Sequence, residues 1–298
     1  MIQSLYIDDL QIGGEGGDYR ITSSGPGFFG GPIPRTNRPD RAQRDGGIDL
    51  TYYYGPRVIE LQGIVVGTSV SDALDKLDAL KLAFRLNSGL VNDFEQLGVN
   101  QGAPLHALKR KLIGRDYFEQ LYVSQDASFD APMDIPNKII PWGVTLVASD
   151  PRWYQIHEED EDTSPYGDDV TSSGGYLQVE LLHGTDTDVT AGGNTPALPW
   201  LTAQGPFDDF MRVEMDDGTN PIESDELDLD LGDGNNVDIV TRTRLAIKNQ
   251  TIRHDIVNRQ ETDWFELPAD DEVNLAFTTG GGTDSGTVCR IRWQVARL

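Results

Sequence analysis

Apolar positions along this chain mostly alternate with polar ones, in short runs broken by Gly and Pro. That is the period of half-buried strands. Residues 2–7 alternate weakly and predict a first strand. Residues 48–54 and 57–66 are rich in β-branched and aromatic side chains, and the Gly55-Pro56 turn between them predicts a hairpin. Two more strands are predicted over 105–113 and 117–124, around Gly114-Arg115-Asp116. Another is predicted over 137–149, where Pro141 marks a bulge or a sheet edge. One stretch, 71–86, has a helical period. Ala73, Leu74, Leu77, Leu80 and Phe84 fall on one face, Ser71 is placed to cap it, and Asp72 and Asp75 suit the dipole of its first turn. Asn87, Ser88 and Gly89 end it.

Beyond residue 175 the pattern is entirely strand-like. Candidates are 176–182, 197–204, 210–216, 226–231, 237–241, 244–248, 251–256, 263–267, 272–278 and 287–296. Turn signals such as Asp217-Gly218, Gly232-Asp233-Gly234 and Gly280-Gly281-Gly282 separate them, which is the signature of a β-sandwich or jelly roll. Two segments lack any period. Residues 157–175 are acidic and rich in Ser and Gly, and predict a solvated linker between a domain over 1–156 and a second over 176–298. Residues 13–47 are dominated by Gly, Pro, Arg and Asp. A loop this long is uncommon inside a compact domain. Phe28 and Phe29, followed by Arg35, Arg38, Arg41 and Arg44, predict an arm that docks on a neighbouring subunit, burying the aromatics and pairing the guanidiniums with acidic surface. A loop without a partner is the plainer reading of the same composition.

Charge narrows the function. The net charge is −25, from 49 acidic and 24 basic residues among 298. A nucleic-acid binder needs a basic stripe, and none is present, so nucleic acid is set aside. An anionic membrane surface is disfavoured on the same ground. Lys is scarce, with six residues against eighteen Arg. Salt adaptation and a GC-rich genome both produce that balance. The start, MIQSLYIDDL, has neither the basic nor the apolar part of a signal peptide, and no apolar stretch approaches the length of about 20 residues that spans a membrane. The expectation is a soluble protein.

Candidate chemistry is sparse. His106, His157, His183 and His254 fall in different predicted elements, without His or Cys at metal-ligand spacing. His254-Asp255 could form a base and its orienter, but no nucleophile elbow accompanies it. Carboxylates are so abundant that any pair is cheap by chance. The run 225–238 does not fit a calcium loop, because Asp228, Asp230 and Gly232 miss the required frame. Leu227, Leu229 and Leu231 alternating with Asp228 and Asp230 predict a half-buried strand instead. Cys289, the single cysteine, lies in an apolar run and reads as a buried core thiol. No phosphate-binding loop is present: Gly13-Gly14-Glu15-Gly16-Gly17 has no helix after it. No catalytic residue, cofactor or metal is predicted.

The order of the segments carries a resemblance. A first strand and long arm are followed by RVIELQGIVVG (57–67), which leads directly into the helix SDALDKLDALKLAF (71–84). WGVTLVASDPRWY (142–154) closes the first half. The second half opens on GNTPALPWLTAQGP (193–206) and runs through GDGNNVDI (232–239) and WFELPADDEVNLAF (264–277) to VCRIRWQVARL (288–298). In this order the chain resembles the distal tail proteins of siphovirus-type tailed viruses. The resemblance implies a mainly β fold. Its first domain would be barrel- or sandwich-like and ring-forming, with one α-helix and a belt arm, and its second a galectin-like β-sandwich. It implies a non-enzymatic virion protein, made in the host cytoplasm, that forms a hexameric ring at the tail tip. Its partners would be the tail tube on one side and hub, tape-measure or fibre proteins on the other. Phe28, Phe29, Arg35 and Arg38 would then be interface residues. The acidity and scarcity of Lys depart from typical relatives and fit a haloarchaeal virus. Two alternatives stay open: a host-adhesion module binding surface glycans, with Trp200 and Trp264 as stacking platforms, and a tail tube subunit.

Overall fold

A computed structural model of the chain describes residues 2–32, 34–36, 52–84, 106–125, 129–132, 138–158, 163–173, 175–182, 184–205, 210–216, 221–222, 226–228, 236–240, 245–248, 251–252, 266–269, 271–279 and 287–298. The chain divides between Trp153 and Tyr154 into two units, each with its own apolar core.

Unit 1 holds β1 (Ile2–Ile7), β2 (Leu10–Gly14), β3 (Tyr19–Ser24), α1 (Pro26–Phe29), β4 (Pro34–Thr36), β5 (Tyr52–Tyr54), β6 (Arg57–Val66), α2 (Val70–Phe84), β7 (His106–Leu112), β8 (Phe118–Gln125) and β9 (Ile139–Ala148). Seven strands form an antiparallel path, β2-β1-β7-β8-β9-β6-β3. The alternation read in RVIELQGIVV is borne out: β6 buries Arg57, Ile59, Leu61, Gly63 and Val65, and pairs with β9 over ten residues without a shift. No bulge forms at Pro141. Gly143 donates its N–H to Asp130 O (2.8 Å) on the flank away from β6. Pro141, two residues earlier, faces the same flank, where the β8 ladder reaches only Val147 and Leu146, so its missing N–H breaks no ladder bond.

Helix α2 lies on β2, β6 and β9, with Ala73, Leu77, Leu80 and Phe84 turned inward. Its cap is two residues earlier than the pattern suggests. Ser69 Oγ accepts from Asp72 N (3.1 Å), while Asp72 Oδ2 reaches back to Thr68 N (2.6 Å) and Thr68 Oγ1 (2.9 Å). This reciprocal arrangement satisfies donors at the first turn that Ser71, already inside the helix, could not reach. Hydrogen bonds from Thr68 N–H, then Lys76 Nζ and Thr68 Oγ1, hold the Asp72 carboxyl down at about 2.

Two expectations in this unit are corrected. Residues 13–24 are not loop, since β2 and β3 are ordered strands of the sheet. Their polar and Gly-rich sequence hides an edge position where little side chain is buried. Residues 52–54 do not form a hairpin with β6. They pair with β4, in a separate two-stranded ribbon inside the arm, and β6 is flanked by β3 and β9 instead. Arg57 at the start of β6 is fully buried and committed elsewhere, as shown below.

Unit 2 is a two-sheet sandwich. Its strands are β10 (Trp153–Ile156, which begins at the division), β11 (Thr171–Ser173), β12 (Tyr176–Leu182), β13 (Thr185–Thr190), β14 (Trp200–Gln204), β15 (Phe210–Asp216), β16 (Pro221–Ile222), β17 (Glu226–Asp228), β18 (Asn236–Val240), β19 (Leu245–Lys248), β20 (Thr251–Ile252), β21 (Glu272–Thr279), β22 (Val288–Trp293) and β23 (Ala296–Arg297). One sheet runs β11-β12-β22-β14-β18-β19-β20 and the other β13-β21-β15-β16, with β17 on β15. Inward residues of both, among them Val179, Leu181, Leu201, Val213, Val237, Phe277, Ile291 and Trp293, make one core. The expected linker is in part structure: Val170 is buried in that core, β11 pairs with β12, and a 3-10 turn covers Ser164–Tyr166. Strand β13 was not read from the sequence because TDTDVT places a single side chain, Val189, in the core. The stretches 229–235 and 253–265, with His254 and Trp264, lie outside the described residues.

Cys289 is buried, and desolvation pushes its thiol up to about 12. A raised value favours the protonated thiol in the folded state. The linked stability is complete below the unfolded value near 9 and is lost as pH rises toward 12. Two measurements follow. Thiol labelling at pH 8 should be absent until denaturant unfolds unit 2, and Cys289→Ala should lessen the decline in stability between pH 9 and 12. In unit 1, Ser69→Ala should cost about 1 kcal/mol by urea unfolding, with Ser71→Ala near zero.

Candidate assembly surface

The arm leaves unit 1 at α1, where the backbone turns away from any ladder and its carbonyls need donors. Two guanidiniums supply them from regular strands. Arg57, first residue of β6, is 2% exposed; its Nε donates to Pro151 O (2.8 Å) and its Nη1 to Gly27 O (2.9 Å) and Gly30 O. Arg110 on β7 donates Nη1 to Phe28 O (2.5 Å) and Nε to Glu119 Oε2 (2.8 Å) on β8. Glu119 also accepts from Arg115 Nη1 on its other oxygen (2.6 Å). The arrangement holds three guanidiniums against one carboxylate. Burial lowers Arg57 to about 10, and the neighbouring Arg110 adds to the shift. Burial also lowers Arg110, with Glu119 opposing it. The carbonyl dipoles of Gly27, Phe28, Gly30 and Pro151 supply the remaining compensation that buried charge requires.

Packing fixes the same point. The Arg110 guanidinium lies 3.7 Å from the centre of the Trp153 ring and 5.3 Å from that of Phe28, and Phe28 meets Trp153 edge-on at 5.6 Å. Gly27 is required: a Cβ there would stand 1.7 Å from Val58 O, so α1 lies directly on the β6 backbone.

This geometry separates the predicted arm residues. Phe28 is fully buried in the core of unit 1 and is not an exposed contact. The aromatic pair was read as one surface feature, but only Phe28 enters the core, and Phe29 meets it edge-on at 4.9 Å from the outside. Phe29 is 57% exposed, and Tyr54 and Val58 nearby on the arm root are also exposed. Arg35 lies in β4, paired to Tyr53, and Arg38 lies outside the described residues. Arg57, Arg110 and Glu119 were missed. A charged residue inside an apolar alternation, as at Arg57, was the available signal.

In unit 2, Trp200 is half-buried on the outer face of the seven-stranded sheet. Arg292 lies over its ring at 5.0 Å and Tyr176 meets it edge-on at 6.3 Å. The guanidinium covers part of the ring, and Trp200 stays half-buried. Beside it, Asp238 accepts from Thr202 Oγ1 (2.9 Å), and burial raises its carboxyl against the pull of Thr202 and Arg292. Arg290 pairs with Glu180 across β12 and β22. These are cross-strand pairs of the kind that stabilise any sheet face. His106, on β7, is buried with Nδ1 2.8 Å from Asp8 Oδ2, while Asp8 Oδ1 accepts from Ala107 N (2.8 Å); the pair ties the β1–β2 turn to β7. No group of three potential metal ligands occurs among the described residues.

Replacing Arg110 by Met should leave Glu119 paired with Arg115 but strip the donor from Phe28 O. The expected loss is about 3 kcal/mol in urea unfolding, with early protease cleavage at the arm root. Gly27→Ala should produce the same early cleavage by lifting α1 off β6.

No family model matches the chain, and no curated protein matches it. Solved structures do. The Dit (gp 19.1) protein of phage SPP1, a hub adsorption-apparatus protein of phages infecting Gram-positive bacteria, superposes with a TM-score of 0.62 at 11% identity, covering 99% of both chains. A chain of the phage p2 baseplate in its activated conformation with Sr gives 0.50 at 10% identity, covering 98% of this chain and 97% of that one. Along nearly its whole length, the protein has the mainly β fold of the SPP1 Dit protein.

Proposed function

We propose that the chain is a structural virion protein of a long-tailed virus that forms a hexameric ring at the distal tail tip. The ring would join the tail tube to hub, tape-measure or fibre proteins. The observation that carries the reading is the fold match to SPP1 Dit, which takes in both units and leaves 1% of either chain unmatched. A tail tube subunit would account for one unit only. Polar side chains buried in unit 1 support a structural role, since Arg57, Arg110, Glu119 and His106 are all engaged in holding backbone or strands together.

Assembly then proceeds through the arm. Donor and acceptor patches on one chain differ, so contacts are head-to-tail and close into a ring. Phe29 offers the apolar anchor, with Arg35 and Arg38 beyond it in the arm. The galectin-like sandwich of unit 2 would carry contacts to fibres or to host glycans, and Trp200 would need Arg292 to move before it could stack on a sugar. Six chains of charge −25 repel at low ionic strength, and salt screens that repulsion.

Native mass spectrometry tests the reading. Six times 32.9 kDa gives a complex of about 197 kDa, favoured by added salt. Phe29→Asp should return the mass to that of one chain with an unchanged circular-dichroism spectrum. A unit-length mass for the unaltered chain at every salt concentration would overturn the reading.

A further inference from the structure

We propose that the outer face of the seven-stranded sheet of unit 2 binds a neutral pyranoside, with Trp200, Arg292 and Asp238 as its contacts. The inference rests on the outward role given to unit 2 above and names the ligand class and the site. Strand register places the three side chains together. Trp200 on β14 pairs with Arg292 on β22. One step along, Thr202 pairs with Arg290 on one side and with Asp238 of β18 on the other. The intervening Leu201, Ala203, Ile239 and Ile291 are core, so alternation turns this polar set outward. Beyond β22 the same face continues through Gln178 and Glu180 of β12.

Two features distinguish this patch from an ordinary sheet face. The first is that Arg292 is uncommitted. Arg290 beside it is engaged by Glu180, whereas Arg292 has no hydrogen bond or ion pair among the described residues. Its guanidinium rests over the Trp200 ring at 5.0 Å, a contact that leaves the donor fork free. The second is a fixed acceptor close by. Asp238 is half-buried, and its Oδ1 accepts from Thr202 Oγ1 at 2.9 Å. An aromatic ring, a planar fork of donors and a held carboxylate thus share one face. A pyranose ring carries the matching groups: an apolar face of C–H bonds, edged by hydroxyls that donate and accept. Its apolar face lies on the indole once the guanidinium swings aside. Neighbouring hydroxyls then accept from Arg292 and donate to Asp238. Charge selects a neutral sugar. On the face itself two guanidiniums balance Glu180 and Asp238, while the chain as a whole carries −25. An acidic sugar meets that field with no surplus cation in the site to offset it.

Saturation-transfer NMR on the full-length chain tests the site. Lactose, maltoheptaose, cellopentaose and mannotriose are the neutral probes, and an oligogalacturonate is the acidic one. The expected result is transfer to the ring C–H protons of at least one neutral probe and none to the oligogalacturonate. Arg292→Met and Asp238→Asn should each weaken that binding about tenfold, and Trp200→Ala should abolish it. The melting curve of Arg292→Met should match that of the unaltered chain. Absence of transfer to all four neutral probes overturns the site, as does binding that survives both Arg292→Met and Asp238→Asn. A hexameric mass in either case leaves the ring standing. A lone chain that binds a neutral probe through Arg292 upholds the site and overturns the ring.

Discussion

The arm begins where backbone carbonyls leave the ladder, and everything outward of that point depends on the guanidiniums that receive them. Arg57 and Arg110 stand on strands whose register the sheet fixes, so the carbonyls of Gly27, Phe28 and Gly30 are held to the same precision as the sheet. Arginine suits the task better than lysine, because its planar fork can serve two or three acceptors at once and it resists neutralisation when buried. Even lowered to about 10, Arg57 stays charged at any physiological pH. The consequence is directional: one aromatic of the Phe28–Phe29 pair is locked inside and the other is presented outward.

The same clamp withdraws positive charge from the surface of a chain that has little of it. Arg57 and Arg110 are interior with a single carboxylate, Glu119, so the exposed face is slightly more acidic than the net charge alone conveys. Copies of such a protein approach one another only where that field is weak or screened, over about 10 Å at 0.1 M salt. An arm close to neutral meets the first condition.

Much of the fold was legible because burial imposes its period on the sequence. Strands with one face in the core, such as β6, β9, β12 and β22, were read nearly to the residue. What escaped were elements with little to bury. β2 and β3 are Gly- and polar-rich, and β13 offers Val189 alone. Residues 163–173 looked like linker because their charge is exposed, yet Val170 among them is core. The hairpin expected between residues 48–54 and β6 failed for a different reason. Sequence adjacency favours local pairing, but a two-residue turn beginning with Gly55 and Pro56 could not compete with a ten-pair ladder between β6 and β9. The site was half legible: the arm stood out by composition, but the clamp holding it joins residues up to 94 apart in sequence, and no local pattern announces that.

The treatment of strand edges separates the two units. In unit 2 the edge strands include β11, of three residues, and β13, which carries Asp186 and Asp188 outward. Short length and charge are how proteins keep edges from pairing. Unit 1 does the reverse. Its terminal strands β2 and β3 are five and six residues long, and beyond Arg20 they carry no charged side chain. Placed side by side, they present mostly small polar side chains and glycine, with Glu15 and Arg20 beside them. Such an edge is a liability unless it is paired or covered.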